Sequence, residues 1–216
     1  MSASRALRSA LADTYRCSWR LLFVNSALSA TLSVVVLVVS AFPLALLLAP
    51  LLAGPVAAGL VYCTVKLIRE DEFALADVLV GLRRFWRCGF VLGGLFGIAL
   101  LLGALAVSFY TSAEHRVLPL AGLAVYVFGV VCLVLLITWP LAIAQPDTRL
   151  RDALRDAWLL VLRAPLRLFT LGAVLLVVNV VGAVTILPLL TLTIAYSFLA
   201  AAYLVLPAPA AEEVSG

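Results

Sequence analysis

Six uncharged apolar stretches, each about twenty residues or longer, divide the chain, at about 21–42, 44–65, 89–110, 117–144, 168–185 and 188–206. A bilayer's hydrocarbon core is about 30 Å thick and an α-helix rises about 1.5 Å per residue, so about 20 apolar residues cross it. The pattern predicts an all-α polytopic membrane protein, with residues 1–216 forming a single transmembrane domain of six helices paired in three hairpins. Pro43 marks the turn between the first two spans, and Pro50 and Pro55 should kink the second or delay its start. Trp139 and Pro140 should bend or end the fourth. The 39 uncharged residues from Leu168 to Leu206 are twice what one crossing needs, and Gly182 with Pro188 brackets the turn between two helices, with a re-entrant pair as the alternative. The first stretch also exceeds the about 7–15 apolar residues of a cleaved signal sequence, so it is expected to remain as a helix.

Two polar intervals carry a second pattern. Between Lys66 and Arg87, at 100° per residue, Asp77, Gly81, Arg83, Arg84 and Arg87 share one arc. Phe73, Ala76, Leu79, Leu82, Phe85 and Trp86 occupy much of the rest. This predicts a cytoplasmic interfacial helix over about 72–87, with Arg83, Arg84 and Arg87 toward lipid headgroups and Trp86 at their level. Between Gln145 and Arg167, Asp152, Arg155, Asp156 and Arg163 oppose Leu154, Ala157, Trp158 and Val161. A second interfacial helix is predicted over about 148–164, capped by Asp147 or Thr148 and ended by Pro165.

Charge fixes the orientation of this frame. Of the fifteen Lys and Arg residues, fourteen precede the first span or lie in the two long polar intervals, and only Arg116 falls on the other side. The positive-inside rule then places both termini and both interfacial helices in the cytoplasm. The net charge of +4 therefore belongs to membrane borders and not to a nucleic-acid surface, since no basic cluster is interleaved with aromatics in a domain able to read bases. With 65% hydrophobic and 12% charged residues, and polar intervals of about twenty residues, no soluble catalytic domain fits within the sequence.

Candidate chemistry is sparse. His115 is the single histidine, Cys17, Cys63, Cys88 and Cys132 lack metal-binding spacing, and no phosphate-binding glycine loop is present, so neither a metal nor a cofactor is expected. No charged residue lies inside a span, where proton-coupled or ion-coupled machinery would place one. Milder polar residues remain at depth, and Asn25, Asn179 and Tyr196 are expected to make polar contacts between helices. Gly89, Gly93 and Gly97 form a four-residue ladder that predicts close helix packing.

Asn25, the run Gly54-Pro55-Val56-Ala57-Ala58-Gly59-Leu60, Tyr62 and Val65, the run Lys66 to Glu72, and Phe85-Trp86-Arg87 resemble a first signature of the YesL-like family of small bacterial membrane proteins. Trp139-Pro140-Leu141-Ala142, Asp152-Ala153-Leu154, Ala157-Trp158-Leu159-Leu160 and Arg163 to Arg167 resemble a second, and the likeness extends over about residues 20–205. The resemblance implies a multi-pass protein of the bacterial plasma membrane with a non-enzymatic, accessory or scaffold role in carbohydrate uptake. Its partners would be the lipid bilayer and a membrane transporter complex, and it defines no catalytic residues. A facilitator or transporter subunit for an uncharged solute is the alternative, drawing on Asn179, Thr191 and Tyr196. A lipid-modifying enzyme would need the Glu70-Asp71-Glu72 run, which reads more simply as a solvated cluster at a helix end.

Overall fold

The computed structural model describes residues 3–16, 19–26, 30, 49–112, 118–145, 149–185 and 193–206. These form helices and short connections, with no strand among the described residues. In chain order they are α1 (Ala3–Arg16), α2 (residues 19–26), α3 (Ala49–Glu70), α4 (Ala76–Ser112), α5 (Leu118–Ala144), α6 (Leu150–Arg163), α7 (Pro165–Thr185) and α8 (Ile194–Val205). Most of the first predicted span, the turns expected at Pro43 and Pro188, and the capping residues Asp147 and Thr148 lie outside the described residues.

Four of these helices are long and apolar enough to cross a membrane: Pro50–Glu70, Ala76–Tyr110, Leu120–Ala144 and Pro165–Gly182. Three of them turn large apolar side chains outward. Ile98 is 57% exposed, Leu102 61% and Leu176 66%, with Leu123, Val125 and Val177 similarly open. In water such continuous apolar surface would drive association; hydrocarbon is the solvent that matches it. The described residues therefore form helices with a membrane-type exterior.

The core lies where α3 meets α8, α2 and the last half of α5. Leu21 and Val24 of α2, Leu60 and Val61 of α3, Ile143 of α5 and Leu199 and Ala200 of α8 are buried together. Trp139 meets Phe198 edge to face at 5.9 Å. Small residues let α8 be enclosed on nearly every side, since Ala200, Ala201 and Ala202 are all fully buried. With 12 residues it is about 18 Å long, shorter than a full crossing.

Glycine decides how α3 and α4 pack. A Cβ added at Gly54 would strike the Gly89 carbonyl oxygen, and one at Gly93 would strike the Pro50 carbonyl oxygen. One at Gly89 would lie 2.7 Å from Pro55 Cα, and one at Gly97 2.6 Å from Pro50 Cγ. The ladder is thus the place where two backbones touch, which lipid-embedded helices achieve only with small residues.

α4 is two helices merged across a kink at Phe85 (φ −111°, ψ 15°). Its first turns are the amphipathic segment, beginning at Ala76 and not at 72, because residues 72–74 are irregular. The predicted polar arc needs correction here. Gly81 is buried with its Cα side against Tyr62, where an added Cβ would lie 2.6 Å from Tyr62 Cβ, and Asp77 also faces α3. Only Arg83, Arg84 and Arg87 remain outside, joined there by Leu79, Val80 and Trp86.

α6 buries Ala157 and Val161 against Val134, Ile137 and Leu168, while its Ala153 belongs to the main core. Its N-cap is Arg149, which makes no side-chain capping bond. After the single residue Ala164, Pro165 opens α7, where a missing N–H at the first helical position costs nothing. α7 continues through Gly182 to Thr185, so that glycine lies within the helix and not in a turn. α5 likewise runs through Pro140 to Ala144.

α1 was not predicted. Ala6, Ala10 and Thr14, spaced four apart, are buried, and the helix lies along α8 in the same direction, with Tyr196 bonded to Leu7 and Tyr203 to Asp13. The glycine contact yields a direct check. Gly93→Val should lower stability by about 1–3 kcal/mol, read from thermal unfolding in detergent. Gly122→Val is the control and should be nearly silent, since nothing lies within 4 Å of a Cβ there.

Candidate functional site

The chemistry of this chain gathers where the apolar helices end. Asp77 Oδ2 accepts from the Ala74 N–H at 2.7 Å and from Lys66 Nζ at 2.9 Å, while Glu70 lies 3.7 Å from the same ammonium. One carboxylate thus closes the first turn of α4 and pins it to the end of α3. Packing reinforces the bond, since a Cβ at Gly59 would come 2.8 Å from the Val78 carbonyl oxygen. Phe85 turns inward at the kink, 5.8 Å from the Tyr62 ring.

With that face occupied, the arginines of α4 point away. Arg84 stacks over Phe85 at 5.6 Å and Arg87 over Trp86 at 5.3 Å, and Trp86 in turn meets Phe90 edge to face at 5.7 Å. Among the described residues no carboxylate lies within 4.0 Å of Arg83, Arg84 or Arg87. The arrangement offers exposed guanidinium forks beside an amphipathic indole, the combination suited to phosphate at a membrane surface.

Other arginines have different work. Arg20 donates to the Phe73 carbonyl at 2.7 Å, and Arg69 donates to the Ala144 carbonyl at 2.9 Å. Arg16 pairs with Asp71 at 2.6 Å and donates to its carbonyl at 3.3 Å. Asp71 adopts a left-handed conformation (φ 61°), one that Asp tolerates better than most residues, and it ends α3. The ion pair itself is exposed and adds little stability. These tethers join α1, α2, α3 and α5 at one end of the molecule, and the sequence pattern did not separate them from the free arginines.

Two of the polar residues expected between helices take different partners. Asn179 Nδ2 donates to Ser197 Oγ at 2.8 Å, joining α7 to α8, and to the Leu175 carbonyl at 2.8 Å within its own helix. Tyr196 instead donates to the Leu7 carbonyl of α1 at 3.4 Å. Asn25 is fully buried in α2. The Asp13–Tyr203 pair is a polar contact that the sequence reading passed over. Thr64 and Thr138 return their hydroxyls to carbonyls of their own helices, Val61 at 2.8 Å and Val134 at 2.7 Å.

Among the described residues no group of three or more His, Cys, Asp or Glu could hold a metal ion. His115, Cys17 and Thr191 lie outside the described residues. Fold and site together define an α-helical membrane-type protein whose distinctive groups line its helix ends. No protein-family model, curated protein or solved structure matches the chain.

The α7–α8 bond has a measurable weight. Asn179→Leu should cost about 0.6–2 kcal/mol of unfolding free energy in detergent. Adding Ser197→Ala to it should cost little more, since both substitutions remove one shared bond; full additivity would show that the pair is not coupled.

Proposed function

We propose that this is a six-span protein of the bacterial plasma membrane, both termini cytoplasmic, that serves as a non-enzymatic accessory or scaffold beside a carbohydrate transporter. The observation that carries the reading is the division of polar groups. Asn179, Ser197, Thr64 and Thr138 hydrogen-bond within the helix bundle, while Arg83, Arg84 and Arg87 stand on its surface without carboxylate partners among the described residues. A scaffold uses its surface; a carrier needs polar groups gathered along a path. The likeness to the YesL-like family supplies the link to carbohydrate uptake, and the fourteen-to-one distribution of basic residues supplies the orientation.

Two measurements test this reading. In a background without the native cysteines, Arg84→Cys should resist an impermeant thiol reagent on intact cells and react once the membrane is opened; labelling from outside would invert the topology. Purified protein in liposomes should pass no uncharged sugar above the protein-free background. Flux that disappears with Asn179→Ala would instead make the chain a facilitator, with the α7–α8 contact in its path.

A further inference from the structure

The arginines of α4 form a charged patch on a surface that the fold holds in place. The first turns of α4 are fixed to α3, where Gly59 admits the Val78 carbonyl, Gly81 lies against Tyr62, and Asp77 accepts from Lys66 at 2.9 Å. Arg83, Arg84 and Arg87 are all exposed. None of the three makes a hydrogen bond or an ion pair among the described residues. Arg84 and Arg87 rest instead on ring faces, 5.6 Å from the Phe85 centroid and 5.3 Å from that of Trp86, which narrows the positions each fork samples.

The patch keeps its charge, since Asp77 and Glu70 are taken by Lys66 and Asp71 by Arg16. Arg87 stands four residues from Arg83 and three from Arg84, spacings at which like charges on a helix destabilise each other. An anion shared among them reverses that sign. The apolar neighbours decide which anion. Leu79 (60% exposed) and Val80 (48%) precede the patch by one turn, Trp86 (46%) lies within it, and Val91 (50%) follows it by one turn. An acidic protein segment or a soluble phosphate would neutralise the arginines and leave those groups in water. A phospholipid layer takes both, since its phosphates lie beside hydrocarbon and an indole belongs at their level.

We propose that Arg83, Arg84 and Arg87 hold the phosphate of an anionic phospholipid and select it over zwitterionic lipid. Planar guanidinium groups donate to phosphate oxygens in pairs. In a zwitterionic headgroup the lipid's own ammonium competes for that phosphate, whereas phosphatidylglycerol leaves it free. The site rests on the membrane placement of α4 proposed above, and it names what the surface arginines take from the bilayer. It does not depend on a carbohydrate transporter.

Full-length protein in mixed bilayers of phosphatidylcholine and phosphatidylglycerol provides the test, with one or the other lipid brominated on its acyl chains. The signal is the Trp86 share of fluorescence, taken as wild type minus Trp86→Phe, and the two series together give the preference of that position for phosphatidylglycerol. Each of Arg83→Gln, Arg84→Gln and Arg87→Gln should lower the preference roughly fivefold, and the triple Gln variant should abolish it. The triple Lys variant should keep most of it, and circular dichroism should be the same throughout. No quenching by either lipid would remove Trp86 from the bilayer and with it the membrane placement. Quenching without preference would keep that placement and overturn the anionic site. A triple Gln variant that behaves as wild type would also overturn it, and so would an equal loss in Arg151→Gln/Arg155→Gln, which would show a general surface potential. Wild type that lacks a lipid preference but retains soluble polyglutamate, through the same three arginines, would assign the patch to an acidic protein segment instead.

Discussion

Backbone-to-backbone contact between α3 and α4 sets the geometry of everything around it. In hydrocarbon, a leucine gains little by leaving lipid for another helix, so association must come from van der Waals contact at close range. Gly54, Gly89 and Gly93 provide it, because nothing larger than hydrogen fits against the facing carbonyls. The same seam continues past the kink at Phe85, through Gly59 on Val78 and Gly81 on Tyr62. The amphipathic start of α4 is therefore an extension of the buried seam, held at a fixed height by it and by the Lys66–Asp77 pair.

That fixed height explains why the apolar pattern alone described the molecule only in part. Apolar length near 44–65, 89–110, 117–144 and 168–185 was legible, and the structure has four helices long and apolar enough to cross a membrane, with α3 running on to Glu70 and α4 reaching back to Ala76. The ladder at Gly89, Gly93 and Gly97 was legible too, but its partner was not: spacing identifies a face, and only the fold shows that Pro50 and Gly54 lie against it. Asp77 and Gly81 were misplaced because a helical wheel equates polar with outward. A carboxylate with a lysine to meet, and a glycine with a tyrosine to admit, belong inside.

α1 escaped for a related reason. Its arginines read as topological charge, and fourteen residues are too few to register as a span. The signal lay in Ala6, Ala10 and Thr14, a narrow small-residue stripe that the exposed Leu11 and Tyr15 obscured. Small stripes gain meaning only when a second helix is known to lie on them. α8, enclosed through its own alanines, is that helix, and Asp13 with Tyr203 sets the register between them.

The basic residues show how one side-chain type serves two ends at a membrane border. Every helix leaves carbonyls without N–H partners at its C-terminal end, and where such an end is packed against neighbours the oxygens need donors from elsewhere. Arg69 supplies one to Ala144, the last residue of α5, and Arg20 supplies one to Phe73 in the connection after α3. Arginines at this end of the molecule thus close helix ends that polar loops close in water. Arginines placed near such a carbonyl become part of the fold. Those carried outward by an amphipathic helix, as on α4 and α6, meet no protein oxygen of comparable basicity among the described carboxylates. The position of each helix end, and not residue type, thus determines which arginine is taken up by the protein's own carbonyls.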